Sequence, residues 1–289
     1  MLKASCSSAK RRLISLEWFW VNPVSNLFVR ILRALRHLEY CDEFRRCFSV
    51  FRRPIRMIGG YLGLPVSYPF ICQTREGTKA HISTRADLAT MWIIFLRHEY
   101  TVKPDDEIIV DCGANIGVFA LYAASLVAKS RIFAVEPFPS TFHELSKNMQ
   151  LNDLDNRVEC LAVALAACDG MVNMYAAPHV ASQARQVIRP SGADTVSVQS
   201  LTLSSLLQKI GVSTVDMLKM DIEGSEHPTL LTAEPTVLAC VKRISVEYHQ
   251  TGPKGTLFNH LTASGFVLHH DRVLGDNYGV AEFIRPSSF

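Results

Sequence analysis

The chain has 289 residues, 48% of them hydrophobic and 20% charged, with a net charge of +3. That is enough to bury a sizeable core, as one α/β domain with an extension or as two small domains. Residues 1–56 hold 12 Lys/Arg against 4 Asp/Glu, whereas residues 57–289 hold 18 against 23, so an acidic body excludes a nucleic-acid groove over the main part and leaves an anionic surface as a partner for the basic head alone.

The eight cysteines (Cys6, Cys41, Cys47, Cys72, Cys112, Cys160, Cys168 and Cys240) lack C-x-x-C spacing. No disulfide framework is expected, and the setting is read as reduced and cytoplasmic. The opening MLKASCSSAKRR is basic but has no clean signal core, and Glu17 and Asn22-Pro23 interrupt the apolar stretch behind it. The longest later uncharged run, Cys112–Ala128, has 17 residues and starts with a glycine loop. It reads as a buried helix, so no transmembrane segment is predicted.

In chain order, residues 1–56 form a basic amphipathic extension. Between Asn26 and Tyr40 the apolar positions 27, 28, 31, 32, 35 and 38 share one helical face, and Arg30, Arg33 and Arg36 line another. Such a helix either packs on the body with a solvated basic side or docks peripherally on a membrane or partner. Residues 57–106 form a lead-in: GGYLGLPVSYPF is turn-rich, and STRADLATMWIIFLRHEY predicts a helix capped by Ser83 or Thr84. Residues 107–289 alternate strands and helices. EIIVD, RIFAVEP, VECLAVAL, VDMLKMD and KRISVEYH read as five strands. Helices are expected at GVFALYAASLVA, 140–151, SLTLSSLLQKI, 225–232 and 254–264. GFVLHH and GVAEFIR close the sheet as a hairpin. The order specifies a doubly wound, mostly parallel α/β sheet.

In such a sheet a ligand lies beyond the C-terminal strand ends. DCGANIG occupies that place after the first core strand. Gly113 and Gly117 permit a tight turn, a helix from about Asn115 would aim free N–H groups at a ligand, and Asp111 could accept from an amine or loop amides. Glu136, closing RIFAVEP, is placed to take both hydroxyls of a ribose. A dinucleotide loop wants G-x-G-x-x-G, but Asn115 holds the middle glycine's slot, and no Lys-Ser/Thr pair makes a P-loop. A phosphate-free nucleoside with a zwitterionic tail fits better, which points to S-adenosylmethionine.

Two further strand ends carry acids. LKMDIEGSEH offers Asp221, Glu223 and Glu226, of which an acidic helix start needs no catalytic explanation. In VEYH, Glu247 and His249 alternate with Tyr248 and share one side. His249, as an imidazole near its ordinary pKa, is the first choice for a general base. Asp221 would orient a hydroxyl or the cofactor's amine, and Glu247 would orient His249 or bind substrate. No ligand spacing is diagnostic of a metal, so none is assigned. Acceptor contacts are expected from Glu223 and Glu226, and from His179 and Arg185 in MYAAPHVASQARQVIRP at 174–190.

IIVDCGANIGVFAL, VEPFPSTFHELSKNMQLN, VDMLKMDIEGSEHPTLL and ISVEYHQ, in this order and spacing, resemble the FkbM family of S-adenosylmethionine-dependent methyltransferases over about residues 85–285. The resemblance implies a seven-stranded sheet of order 3-2-1-4-5-7-6 and O-methylation of a sugar, glycolipid or related small metabolite. It implies that Asp111, Gly113, Asn115 and Gly117 form the methionine-side loop, with Glu136 on the ribose. Asp221, Glu223, Gly224 and Glu226 match the family's acidic motif, and Glu247 and His249 its fifth-strand end. TLSSLL departs from the common T-L-D, with Ser204 in place of the aspartate. The alternatives are a non-catalytic interaction protein on this fold and a nicotinamide-dependent dehydrogenase. A nucleic-acid methyltransferase is disfavoured because KMDIEG stands where an amino-group motif belongs.

Overall fold

The structure is a computed structural model and describes residues 38–176 and 194–286. The basic helix predicted before Leu38, together with His179 and Arg185, lies outside the described residues. Chain order opens with α1 (Leu38–Val50), α2 (Pro54–Leu62) and a hairpin of β1 (Phe70–Gln73) and β2 (Lys79–Ile82). The turn-rich stretch GGYLGLPVSYPF therefore supplies the end of α2 and the start of β1. In α3 (Arg85–Trp92) Thr84 is the cap: the Asp87 N–H donates to its hydroxyl (3.2 Å) while the Asp87 carboxylate accepts from the Thr84 N–H (2.8 Å). Such a box is worth about 1 kcal/mol. Past Trp92 the chain widens into a π-helical turn, Ile93–Arg97, and ends at His98 with φ 53°. This bend delivers Tyr100 to the sheet.

The central sheet has β3 (Ile108–Cys112), β4 (Arg131–Val135), β5 (Val158–Leu161), β9 (Met217–Met220) and β10 (Arg243–Tyr248) in parallel pairs. β12 (Tyr278–Ile284) runs antiparallel beside β10, and β11 (Val267–Gly275) forms the edge. The order is β11-β12-β10-β9-β3-β4-β5, which from the β5 edge, counting the seven by chain position, is 3-2-1-4-5-7-6. Alternate residues build two cores, as the strand period of two requires. Ile109, Ile132 and Ala134 join Trp92 and Leu88 with Phe119 of α4 (Val118–Leu126) and Leu145 of α5 (Pro139–Gln150). Val110, Phe133, Leu218 and Val246 join Leu206 of α6 (Leu203–Ile210), Leu230 of α7 (Glu226–Leu231), Leu238 of α8 (Pro235–Ala239) and Leu261 of α9 (Lys254–Ala263). Cys47, Phe51 and Met57 belong to the first core, so the N-terminal helices share the sheet's packing.

One expectation needs correcting. VECLAVAL is not one strand: β5 ends at Leu161, and β6 (Ala164–Leu165) leaves the main sheet for a second one of order β6-β8-β7, with β7 (Gly170–Ala176) and β8 (Asp194–Leu201) antiparallel. SLTLSSLLQKI is accordingly split, its first residues closing β8 and its helix starting at Leu203. Asp169 accepts from the Thr202 N–H and the Ser205 hydroxyl, both at 2.6 Å. It brings to the start of α6 the carboxylate that Ser204 lacks.

Candidate active site

Strand β3 ends in the glycine loop, and the chain itself makes the close approaches there. A Cβ on Gly113 (φ +76°) would lie 1.7 Å from the Asp221 carbonyl oxygen, and one on Gly117 (φ +87°) 2.7 Å from Leu145 and Met149 side-chain atoms. The Gly113 and Ala114 N–H groups both donate to the Val135 carbonyl (3.0 and 2.9 Å), and the Asn115 N–H donates to Glu136 (3.0 Å). Helix α4 starts at Val118 rather than near Asn115. The expected row of free loop amides is thus corrected: the first three are committed to β4 and its terminal acid. What the loop offers a ligand is the Asn115 Oδ1, buried and without a hydrogen-bond partner among the described residues. Glu136 is fixed by Asn115 and by the Phe138 N–H (2.9 Å), which orients its carboxylate at the strand end.

Asp111 is also corrected. Its side chain is 0% exposed and pairs with Lys219 at 3.0 Å, its register partner on β9, so it reaches neither an amine nor the loop amides in the cleft. Lys219 also donates to the Gly113 carbonyl (2.8 Å) and lies 3.9 Å from Asp221. Burial works against its charge, but Asp111 and Asp221 outweigh that and raise its pKa, keeping the ammonium cationic. Lys219 was missed in the sequence, although a lysine inside MLKM, an otherwise apolar buried strand, demands a partner.

Asp221 follows β9, Glu247 lies in β10 and His249 just beyond it. One carboxylate oxygen of each acid and a ring nitrogen of His249 fall within 4.8 Å of one another. This grouping is compatible with a divalent cation, and Lys219 already supplies positive charge beside it. Tyr100 donates to Glu247 (3.2 Å) and approaches Asp221 (3.5 Å), while Tyr278 donates to the other Glu247 oxygen (2.7 Å). Neither tyrosine was singled out from the sequence, because Tyr100 precedes the sheet and Tyr278 follows a turn. Tyr248, between Glu247 and His249, points the other way and donates to Asp271 (2.9 Å).

Glu226 is not a substrate contact. It is 0% exposed, accepts from the Ile222 and Gly224 N–H groups (2.9 Å each) and pairs with His249 Nδ1 at 3.0 Å. Glu223, in a turn with φ 54°, reaches His249 Nε2 at 3.5 Å and keeps part of its carboxylate in the cleft. Burial disfavours charge on His249, but the Glu226 hydrogen bond and the Glu226, Asp221 and Glu247 charges outweigh it and hold its pKa at about 10. The expected imidazole near its ordinary pKa is therefore an imidazolium at neutral pH. Burial, then Asp221, pushes Glu223 up to about 8. Burial, then Asp221 and Glu99, holds Glu247 well above the usual carboxylate range.

A family model described as the Methyltransferase FkbM domain matches residues 111–274. The chain is 28% identical over 211 residues to the methyltransferase sdnD of Sordaria araneosa, spanning 62% of this chain and 82% of that one. It is 24% identical over 204 residues to the 31-O-demethyl-FK506 methyltransferase FkbM of Streptomyces tacrolimicus, spanning 60% and 77%. To the hexuronic acid methyltransferase AglP of Haloferax volcanii it is 26% identical over 145 residues, spanning 50% and 57%. With more than half of its residues under that family model, this chain belongs to the FkbM family and is an S-adenosylmethionine-dependent methyltransferase.

Proposed function

We propose that the enzyme methylates a hydroxyl group of a small polyhydroxylated acceptor such as a sugar, a glycolipid or a related metabolite. The observation that carries this reading is the meeting of Asp221, Glu247 and His249 within 4.8 Å, beside the loop that follows β3. The relatives support it by their names, one indicating 31-O-demethyl-FK506 and another a hexuronic acid as the acceptor.

The residues present fit the cofactor. Glu136 would hold the ribose, and Asn115 with the Gly113–Gly117 turn would flank the amino-acid end, where the Asn115 oxygen awaits a donor. Bound S-adenosylmethionine supplies a methyl group activated on a sulfonium. This chain's part is to align the hydroxyl and to accept its proton, and alignment alone is worth about 7–11 kcal/mol. Asp221, with 27% side-chain exposure, presents its carboxylate to the cleft and takes the proton, while Lys219 at 3.9 Å stabilises that carboxylate. Tyr100 and Tyr278 fix Glu247, which receives a neighbouring hydroxyl. His249, held by Glu226, contributes as a cation that stabilises negative charge developing on the acceptor oxygen. Glu223, with His179 and Arg185, completes the acceptor contacts.

The test uses S-adenosylmethionine carrying a carbon-13 methyl group, incubated with the enzyme and with pooled polar metabolites and glycolipids. Carbon NMR should reveal new O-methyl resonances. Label appearing only on nitrogen or carbon would overturn the reading.

A further inference from the structure

The junction of α1 and α2 is tied to the β1–β2 hairpin, the Arg52 N–H donating to the Gln73 carbonyl (2.9 Å), and supplies no residue to the reaction described above. Cys47 Sγ donates to the Pro54 carbonyl at 3.7 Å, which folds the end of α1 against the start of α2. The neighbours of these two residues, Phe48 and Ile55, are 48% and 71% exposed. Their neighbours Phe51 and Met57 are buried, so at this junction Phe48 and Ile55 are the apolar side chains turned to solvent. Arginines surround them. Arg52 and Arg53 are exposed and in no ion pair among the described residues. Arg75 reaches across from the β1–β2 turn and donates to the Phe48 carbonyl (2.8 Å). Arg45, one helical turn before Phe48, is paired to Asp42, whose carboxylate also takes Arg46.

We infer that this junction is a docking surface for an anionic lipid bilayer, with Phe48 and Ile55 entering the headgroup boundary and Arg52, Arg53 and Arg75 facing lipid phosphates and carboxylates. The pairing of exposed apolar side chains with unneutralised arginines is the signature of an interfacial segment. The charge of the upstream chain agrees: residues 1–37 carry seven Lys/Arg against one Asp/Glu. A polyanion in solution would be served by the arginines alone, and it would leave Ile55 in water. The bilayer accounts for both features. Among the described residues no helix is long and apolar enough to cross a membrane, so the contact proposed is with one face of the bilayer.

The experiment is flotation of the full chain with phosphatidylcholine vesicles, with and without phosphatidylserine. Wild type should float only with the anionic vesicles, and raised salt should weaken the association. The R52Q/R53Q variant should partition about 30-fold more weakly, at about a fivefold loss for each arginine removed. The F48S/I55S variant should lose binding that salt does not restore. All four positions are exposed, and unchanged adenosylhomocysteine affinity would show the variants folded. Three results would overturn the proposal. Wild type could fail to float. The combined F48S/I55S/R52Q/R53Q variant could float like wild type, which would leave residues 1–37 as the whole cause. Wild type could bind RNA in solution but not vesicles, which would make the arginines a nucleic-acid contact.

Discussion

His249 illustrates how a neighbour decides what a residue does. Its position at the end of β10 was legible from VEYH, but its charge was not, because the deciding partner, Glu226, is 23 residues away and reads in sequence as an ordinary acidic helix start. The buried Glu226 carboxylate holds the proton on the ring, and the role of base passes to Asp221. Turnover should therefore fall, not rise, as His249 deprotonates near pH 10. In Glu226→Gln that falling limb should move down by about 1–3 pH units, since the charge and hydrogen bond that raise the pKa are gone. A pH profile of kcat for both proteins checks this. A limb that rises with pH would make the imidazole the base. Asp111 was misjudged for a related reason: its strand-end position was read correctly, yet Lys219 on the adjacent strand turns its charge inward.

At the scale of elements, the glycine loop is an interlock more than a cradle. Gly113 → Ala would drive a methyl group into the Asp221 carbonyl, 1.7 Å away, at a φ of +76°. Both the clash and the backbone strain act on the folded state, so a loss of about 3 kcal/mol or more is expected, measured by urea unfolding. Retention of wild-type stability would mean that the loop and the end of β9 can separate. The main strands were legible because their apolar runs are short and bounded by glycine and acids. β7 and β8 were not, although TVSVQSL alternates as a half-buried strand should: the run passes into a capped helix at Thr202 without a turn residue to mark the change. The hairpin of β1 and β2 was hidden similarly, since four-residue strands give too little periodicity to register.

For the molecule as a whole, the strand-end acids make folding a proton-linked process. Glu223, with a folded pKa of about 8, and His249, with one of about 10, both stand above their unfolded values. The folded chain therefore holds protons that the unfolded chain has released. The stabilisation is fully present below the unfolded pKa values, and it is lost as pH rises through the folded ones. Between about pH 6.5 and 8 both groups act in the same direction, and stability should decline by about 1 kcal/mol or more per pH unit. Denaturant unfolding across that range should show the slope, and a Glu223→Gln/His249→Asn variant should reduce it to the part that Glu247 carries. An unchanged slope in that variant would place the linked protons elsewhere.

The recognisable signature runs from 111 to 274, yet the two phenols that grip Glu247 come from Tyr100 and Tyr278, outside it at either end. A clone trimmed to the signature would keep the glycine loop, Glu136, Asp221, Glu247 and His249, while Glu247 had lost both clasps. Truncations meant to isolate the catalytic unit should start before the π-helical turn and end beyond the final strand.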